Sequence, residues 1–370
     1  MWQFWRRHKR KVYVTLGVLG SGYFLYKLYD AHRRRLSDLE KQLADERGHS
    51  ELIKAQMQSH FESIQRIADS TTFPHVMEYL ESQVAENLDL AHFTERLIQG
   101  KGQPNTLTTA EKLELWDRLK ILSFTRMVLS LWTMSMLSLY VRVQVNILGR
   151  HLYIGTARDL GSSPQLDEAD LIDRNDEQQF LAYADYLSNF GLPTLISDTE
   201  AATSQVLKGK LLKDFFTATI LDETIVQILD TFMSMGSPHH WVGYLMPEDS
   251  GVYNLVSQSS SSGYSDLPHA TKLEQLMGET RAVLLSVEFG NIIEMSLKTL
   301  VNELMKDISS QCGESTLLSG MPLAKLLPRI AQIGQQLLKE PYRSRYVQNI
   351  CSIPEVEQFF TLLYSSTPFL

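Results

Sequence analysis

Fifteen consecutive uncharged residues, MVLSLWTMSMLSLYV (127–141), lie between Arg126 and Arg142. The stretch before them, KLELWDRLKILSFTR (112–126), has neither Gly nor Pro and many good helix formers; RVQVNILGRHLYIG continues beyond. The pattern predicts one long helix with an apolar middle. A second membrane span is one reading of that middle. It is shorter than the roughly 18 apolar residues a span needs. It is also rich in Met and Ser, and it sits inside a longer amphipathic pattern. A buried central helix is therefore the reading adopted. Val143, Val145 and Ile147 alternate as a strand would, but so short an alternation inside a helical run carries little weight.

A central helix of this kind needs other helices around it. The sequence supplies them, with expected spans of roughly 178–190, 193–211, 212–235, 270–285, 287–308, 321–339 and 354–366. Upstream, a helical stretch through ELIKAQMQSHFESIQRIADS is expected to break at STTFP, around Pro74, and a further helix runs to about Leu90. HFTERLIQ follows and ends at GKGQPN (100–105). Thr109 is expected to open the next helix, although Thr109 and Lys112 do not make a capping box. Residues 155–177 read as an acidic loop, and Pro328 should kink its helix. SQSSSSGYSDLP is low-complexity. No pair of strands with a hairpin signal and no internal repeat is evident. The fold class is all-α: an elongated bundle of long helices, preceded by one N-terminal membrane-anchor helix.

The amino terminus is expected to carry the anchor, with an interfacial or soluble helix as another reading. MWQFWRRHKRK holds Arg6, Arg7, Lys9, Arg10 and Lys11, and VYVTLGVLGSGYFLY (12–26) has no charge. Fifteen helical residues reach about 22 Å against a hydrocarbon core of about 30 Å, a gap that snorkelling Lys and Arg can close. A cleaved signal peptide has the same basic start and apolar length. It would need a small-x-small cleavage site, and KLYDAHRRR stands there instead. Basic residues on both sides leave orientation open. The domain reading is a basic tail (1–11), an anchor (12–29), a helical linker (30–44) and a helical domain (45–370). Leu36, Leu39 and Leu43 have a/d spacing over too short a stretch for a coiled coil.

Composition narrows the function. Net charge is −8, which argues against a general nucleic-acid binder. Cys312 and Cys351 make no C-x-x-C pair, and no N-x-Ser/Thr sequon occurs, so a reducing compartment is favoured for the bulk of the chain. DEAD (Asp167 to Asp170) has no P-loop to work with and reads as acidic loop. His239 and His240 in SPHHW lack the further ligands a metal site needs. GVLGSG lies in the apolar segment, where small residues aid helix packing. No G-x-S-x-G occurs, and no catalytic site, metal or cofactor is expected.

Trp116 is the residue that asks for a partner. Leu115, Leu119 and Leu122 share the buried stripe of their helix, and Trp116 lies on its edge between Lys112 and Lys120. Such an indole either caps the core under aliphatic stems or faces a ligand. Several stretches resemble the peroxin-3 family: RRHKRK before a short apolar segment, HFES (60–63), KLELWDRLKILSFTR, RVQVNILGRHLYI (142–154), ETRAVL (279–284) with Phe289, and PLAKLLP (322–328). They recur in the family's order over nearly the whole chain.

The resemblance implies a peroxisomal membrane protein with a cytosolic helical domain that docks peroxin-19, the chaperone that delivers new membrane proteins. An amphipathic helix of that partner would enter an apolar groove lined by Trp116, with Thr94 and Leu97 matching the family's T-x-x-L. Ile98 and Pro104 transfer poorly, because the loop here is longer. Lys112 and Lys120 would attract an acidic helix, and Leu113 would widen the apolar wall. The candidate partner-binding set is Thr94, Leu97, Lys112, Leu113, Trp116, Leu119, Lys120 and Leu152. The candidate targeting set is Arg6, Arg7, Lys9, Arg10 and Lys11. Membrane lipids and, indirectly, cargo membrane proteins are the other partners implied. A membrane-anchored enzyme of lipid metabolism is the alternative, and a structural tether a weaker one. An apolar groove at Trp116 favours docking; a deep pocket with convergent acid, base and nucleophile favours catalysis.

Overall fold

The computed structural model describes residues 58–102, 108–160, 174–247, 272–339 and 345–365. The expected anchor, its basic flank, the expected linker and the DEAD segment lie outside these residues. Contacts divide the chain into residues 1–63 and Ile64–Leu370, and the second unit carries the bundle.

In chain order the helices are α1 (Phe73–Asn87), α2 (Ala91–Gly102), α3 (Thr109–Leu160), α4 (Arg174–Ala182), α5 (Leu192–Leu207), α6 (Ala218–Met233) and the short α7 (Val242–Leu245). They continue as α8 (Lys272–Leu284), α9 (Val287–Cys312), α10 (Glu314–Ser319), α11 (Leu323–Gln336), α12 (Arg345–Cys351) and α13 (Pro354–Ser365). The all-α expectation holds. The one departure among the described residues is a two-residue antiparallel ladder, β1 (Phe215–Phe216) on β2 (Met321–Pro322), with Phe215 opposite Pro322. Two residues carry no periodicity, so no sequence pattern announces it.

The axis is α3. It packs against α1, α2, α4, α5, α6, α8, α9, α11, α12 and α13. Every residue from Leu122 to Arg150 is buried. This helix is long and apolar enough to cross a membrane, but its most apolar 18-residue window lies wholly inside the protein. The central-helix reading is the one the fold adopts.

Burial on every side means that the polar groups of α3 need partners. Three of its hydroxyls turn back on their own helix: Ser123 donates to the Leu119 carbonyl (2.7 Å), Ser130 to Arg126 (2.7 Å) and Thr133 to Leu129 (2.8 Å). Its longer side chains reach neighbours. Gln144 donates to the Phe180 carbonyl (3.0 Å), and Arg142 forks onto Asp69 (2.8 Å). Arg150 donates to the Leu363 carbonyl (3.0 Å) and pairs with Glu279, which His151 also contacts (2.8 Å). Small residues let helices close in. A Cβ on Gly334 of α11 would stand 3.1 Å from the Met127 backbone nitrogen.

Several boundaries differ from expectation. STTFP does not break the chain. Ala68–Thr72 forms a π-turn, in which the Phe73 N–H reaches back to the Ala68 carbonyl, and Pro74 falls in the first turn of α1. The true cap of α3 is Thr108, one residue earlier than expected. The Thr108 hydroxyl accepts from the Glu111 N–H (3.2 Å), while the Glu111 carboxylate accepts from the Thr108 N–H (2.7 Å). This is a reciprocal capping box. The Thr108 hydrogen bonds hold the Glu111 carboxyl below its ordinary range.

Both ends of the loop expected at 155–177 are helical: α3 runs to Leu160 and α4 begins at Arg174. The helix expected at 178–190 gives way to a 3-10 turn (Tyr183–Asp185) and a π-turn (Leu187–Gly191) that feeds α5. The helix expected at 212–235 starts at Ala218, capped by Thr217, because Gly209 (φ +85°) turns the chain out of α5 and β1 intervenes. Pro328 is carried inside α11.

Two consequences can be measured. A Cβ on Gly191 would lie 2.1 Å from the Tyr244 carbonyl oxygen, a backbone atom. Gly191→Ala should therefore lower the unfolding free energy by about 1–3 kcal/mol, the usual scale of overpacking, in urea unfolding followed by circular dichroism. The second concerns His151. Burial, with Arg150 and Lys272 nearby, holds its imidazole down at about 4, and Arg150 already offsets the Glu279 charge. Unfolded, it would titrate near 6.5. Between those values the unfolded chain takes a proton that the folded chain refuses, so stability falls as pH drops through that window. His151→Gln should flatten that part of the stability–pH curve.

Candidate docking face

The amino-terminal turns of α3 carry the candidate site. Leu115, Leu119 and Leu122 are buried, as the stripe predicts. Trp116 is half-buried, Lys112 likewise, and Leu113 is 61% exposed. Leu113, Trp116 and Lys120 stand at i, i+3 and i+7, along one face of the helix.

Two structures pack near these turns. α2 packs against α3, with Leu97 buried and Ile98 63% exposed. Thr94 is exposed, and its hydroxyl donates to the Leu90 carbonyl (3.0 Å). The second is the connection from α5 to α6. The Lys120 ammonium donates to the Lys210 carbonyl (2.9 Å), fastening that connection to the inner end of the face. Arg118 pairs with Glu200 on α5. A cleft of about 580 Å³ opens next to Lys120, between Asp117 and Ile121 of α3 and Ala201, Ser204 and Gln205 of α5. Among the described residues, no group of three or more His, Cys, Asp or Glu is placed to hold a metal ion.

The sequence-derived set is therefore split. Thr94, Leu97, Lys112, Leu113 and Trp116 lie on α2 and the first turns of α3. Lys120 is placed otherwise than the sequence suggests: its side chain is 6% exposed and already holds Lys210 and Asp117 (2.6 Å). It is a structural fastener rather than an offered charge. Leu119 belongs to the buried stripe. Leu152 is partly exposed but sits 36 residues along the same helix from Trp116, roughly 50 Å away at 1.5 Å per residue. It cannot share a groove with the indole. The α5–α6 connection was invisible in the sequence, because LKGKLLKDFF reads locally as more helix.

The peroxin-3 family model matches residues 101–366. The chain belongs to the peroxin-3 family. The match runs from just before α3 to the end of α13, so it spans the central helix and most of the helices around it. Peroxisome biogenesis protein 3-2 of Arabidopsis thaliana is 56% identical over 366 residues, covering 99% of this chain and 98% of the relative. Peroxisomal biogenesis factor 3 of Homo sapiens is 26% identical over 393 residues, covering 100% and 98%. The Yarrowia lipolytica protein of that name is 22% identical over 433 residues, covering 98% of each. Thr94 and Leu97 precede the region the family model matches; the full-length relatives extend across them. This peroxin-3 family member is thus aligned with proteins named for peroxisome biogenesis along nearly its whole length.

The fastener role of Lys120 is testable. Lys120→Met keeps the aliphatic stem but leaves the Lys210 carbonyl without its donor. It should cost about 1–3 kcal/mol of stability, whereas Lys112→Met should stay within about 0.5 kcal/mol, both read by urea unfolding.

Proposed function

We propose that this chain is a peroxisomal membrane docking receptor for peroxin-19, acting in the insertion of peroxisomal membrane proteins. Residues 12–29 anchor it, the basic run Arg6, Arg7, Lys9, Arg10 and Lys11 contributes to targeting, and residues 45–370 face the cytosol. An amphipathic helix of the partner lies across Leu113 and Trp116, beside α2. Membrane proteins are handled indirectly, as cargo of the partner. Family membership supports this reading, as does the burial of the one described helix able to span a membrane. The observation that carries it is the half-buried Trp116 beside the exposed Leu113, on one face of α3. A large aromatic offering one flank to solvent beside an exposed leucine is the usual anchor of a helix-in-groove contact.

The test is binding of peroxin-19 to residues 45–370, by calorimetry. Trp116→Ala should weaken it by about 2 kcal/mol or more, roughly thirtyfold in Kd, without lowering the unfolding midpoint much, since Leu115, Leu119 and Leu122 fill the core. Lys112→Glu should act on the association rate and fade at high salt. Unchanged affinity in Trp116→Ala, or affinity lost only with the fold, would make the indole a core residue and sink the proposal.

A further inference from the structure

The connection between α5 and α6 carries a second surface. It exposes Leu211 (52%) and Phe215 (63%), and Leu318 beside it is 74% exposed. Gly320, two residues after Leu318, would place a Cβ 3.8 Å from the Phe215 Cβ, so the Leu318 segment and Phe215 are neighbours. Exposed apolar side chains on a loose loop would mean little. This connection is fixed. Its backbone is held by Lys120 on the Lys210 carbonyl, by the Leu323 N–H on the Asp214 carbonyl (2.9 Å) and by the Ala324 N–H on the Leu212 carbonyl (2.9 Å). The β1–β2 ladder adds to these, Phe216 is buried, and the Lys210 ammonium stands 5.4 Å over its ring. Leu211 and Phe215 are thus held outward by a backbone that is tied down on either side.

The charge of this surface is distinctive. The chain as a whole is at −8, yet residues 208–217 contain three lysines and one aspartate. The Asp214 carboxylate is occupied by the Leu211 N–H (2.7 Å). Lys208 and Lys213 are exposed, on either side of Leu211. Apolar knobs alternating with cations complement a segment of the opposite make-up, with apolar side chains among carboxylates. The Lys120–Lys210 bond ties this connection to the helix that carries Leu113 and Trp116, one turn beyond the indole.

From this we infer that Leu211, Phe215, Leu318, Lys208 and Lys213 form a second contact for the docked partner, taking an acidic, apolar-studded segment of the same chain whose helix lies on Trp116. The inference rests on the docking reading above. The rigid backing means that little ordering accompanies binding, so the contact adds affinity directly. The cations speed encounter and set the direction in which the partner lies.

The full chain in detergent, titrated with full-length peroxin-19, tests it. Phe215→Ser with Leu318→Ser should weaken binding about tenfold, the scale for two partly exposed apolar contacts, while Phe215→Leu with Leu318 intact restores affinity. Lys208→Glu with Lys213→Glu should weaken it about fivefold at low salt and less at high salt. All four side chains are exposed, so the unfolding midpoint should not move. If both pairs bind within about twofold of the parent while Trp116→Ala is impaired, the second contact is wrong and the docking face stands. If Trp116→Ala is unimpaired too, both fall. If partner binding is unchanged but flotation with phosphatidylcholine–phosphatidylserine vesicles is lost, the surface meets lipid, and the inference is overturned.

Discussion

The burial of α3 on all sides governs everything else in this molecule. A helix with one wet face can leave its charges there; this one has none from Leu122 to Arg150. The hydroxyls of Ser123, Ser130 and Thr133 are absorbed by its own carbonyls, and Arg142 and Arg150 are drawn out to the segments that cover it. Arg142 reaches Asp69 at the start of the bundle, and Arg150 reaches Glu279 and the Leu363 carbonyl near its end. Each of these polar contacts joins segments far apart in sequence. They fix which helix lies where, a role that apolar packing, being non-directional, performs less well.

Only the ends of α3 escape this regime, and the chemistry changes there. At the amino-terminal end the helix emerges with Leu113 exposed and Trp116 half covered. Lys120 marks the transition. It is the last cation before the fully buried stretch, and it is spent on holding the α5–α6 connection. Two supports act near this end: α2 packs against α3, and the tied connection is fastened to α3 at Lys120.

Much of this was legible in the sequence, and the exceptions are instructive. The uncharged stretch between Arg126 and Arg142 pointed to a buried axis, and the leucine stripe around Trp116 gave the correct buried residues. The family resemblance named the right relatives. What escaped were features decided by distant partners. Lys120 looks like any surface lysine until Lys210, 90 positions away, supplies its carbonyl. The β1–β2 ladder is made by residues over 100 positions apart and is too short to have a period. Pro74 looks like a helix breaker because the π-turn that accommodates it leaves no mark in composition. Leu152 was grouped with Trp116, although the length of a single helix separates them.

The same axis has a consequence for how the chain is made. α3 is complete at Leu160, yet α11, α12 and α13, which cover it, end only at Ser365. At ordinary synthesis speeds, adding those about two hundred residues takes about 10 to 40 s. Throughout that interval a helix with the length and hydropathy of a membrane span stands only partly covered beside the ribosome. The nascent chain therefore presents two apolar segments to the cell's sorting machinery, one at its start and one that must be refused. Arg126 and Arg142 bound its fifteen uncharged residues, and charges so placed weigh against its insertion while it waits.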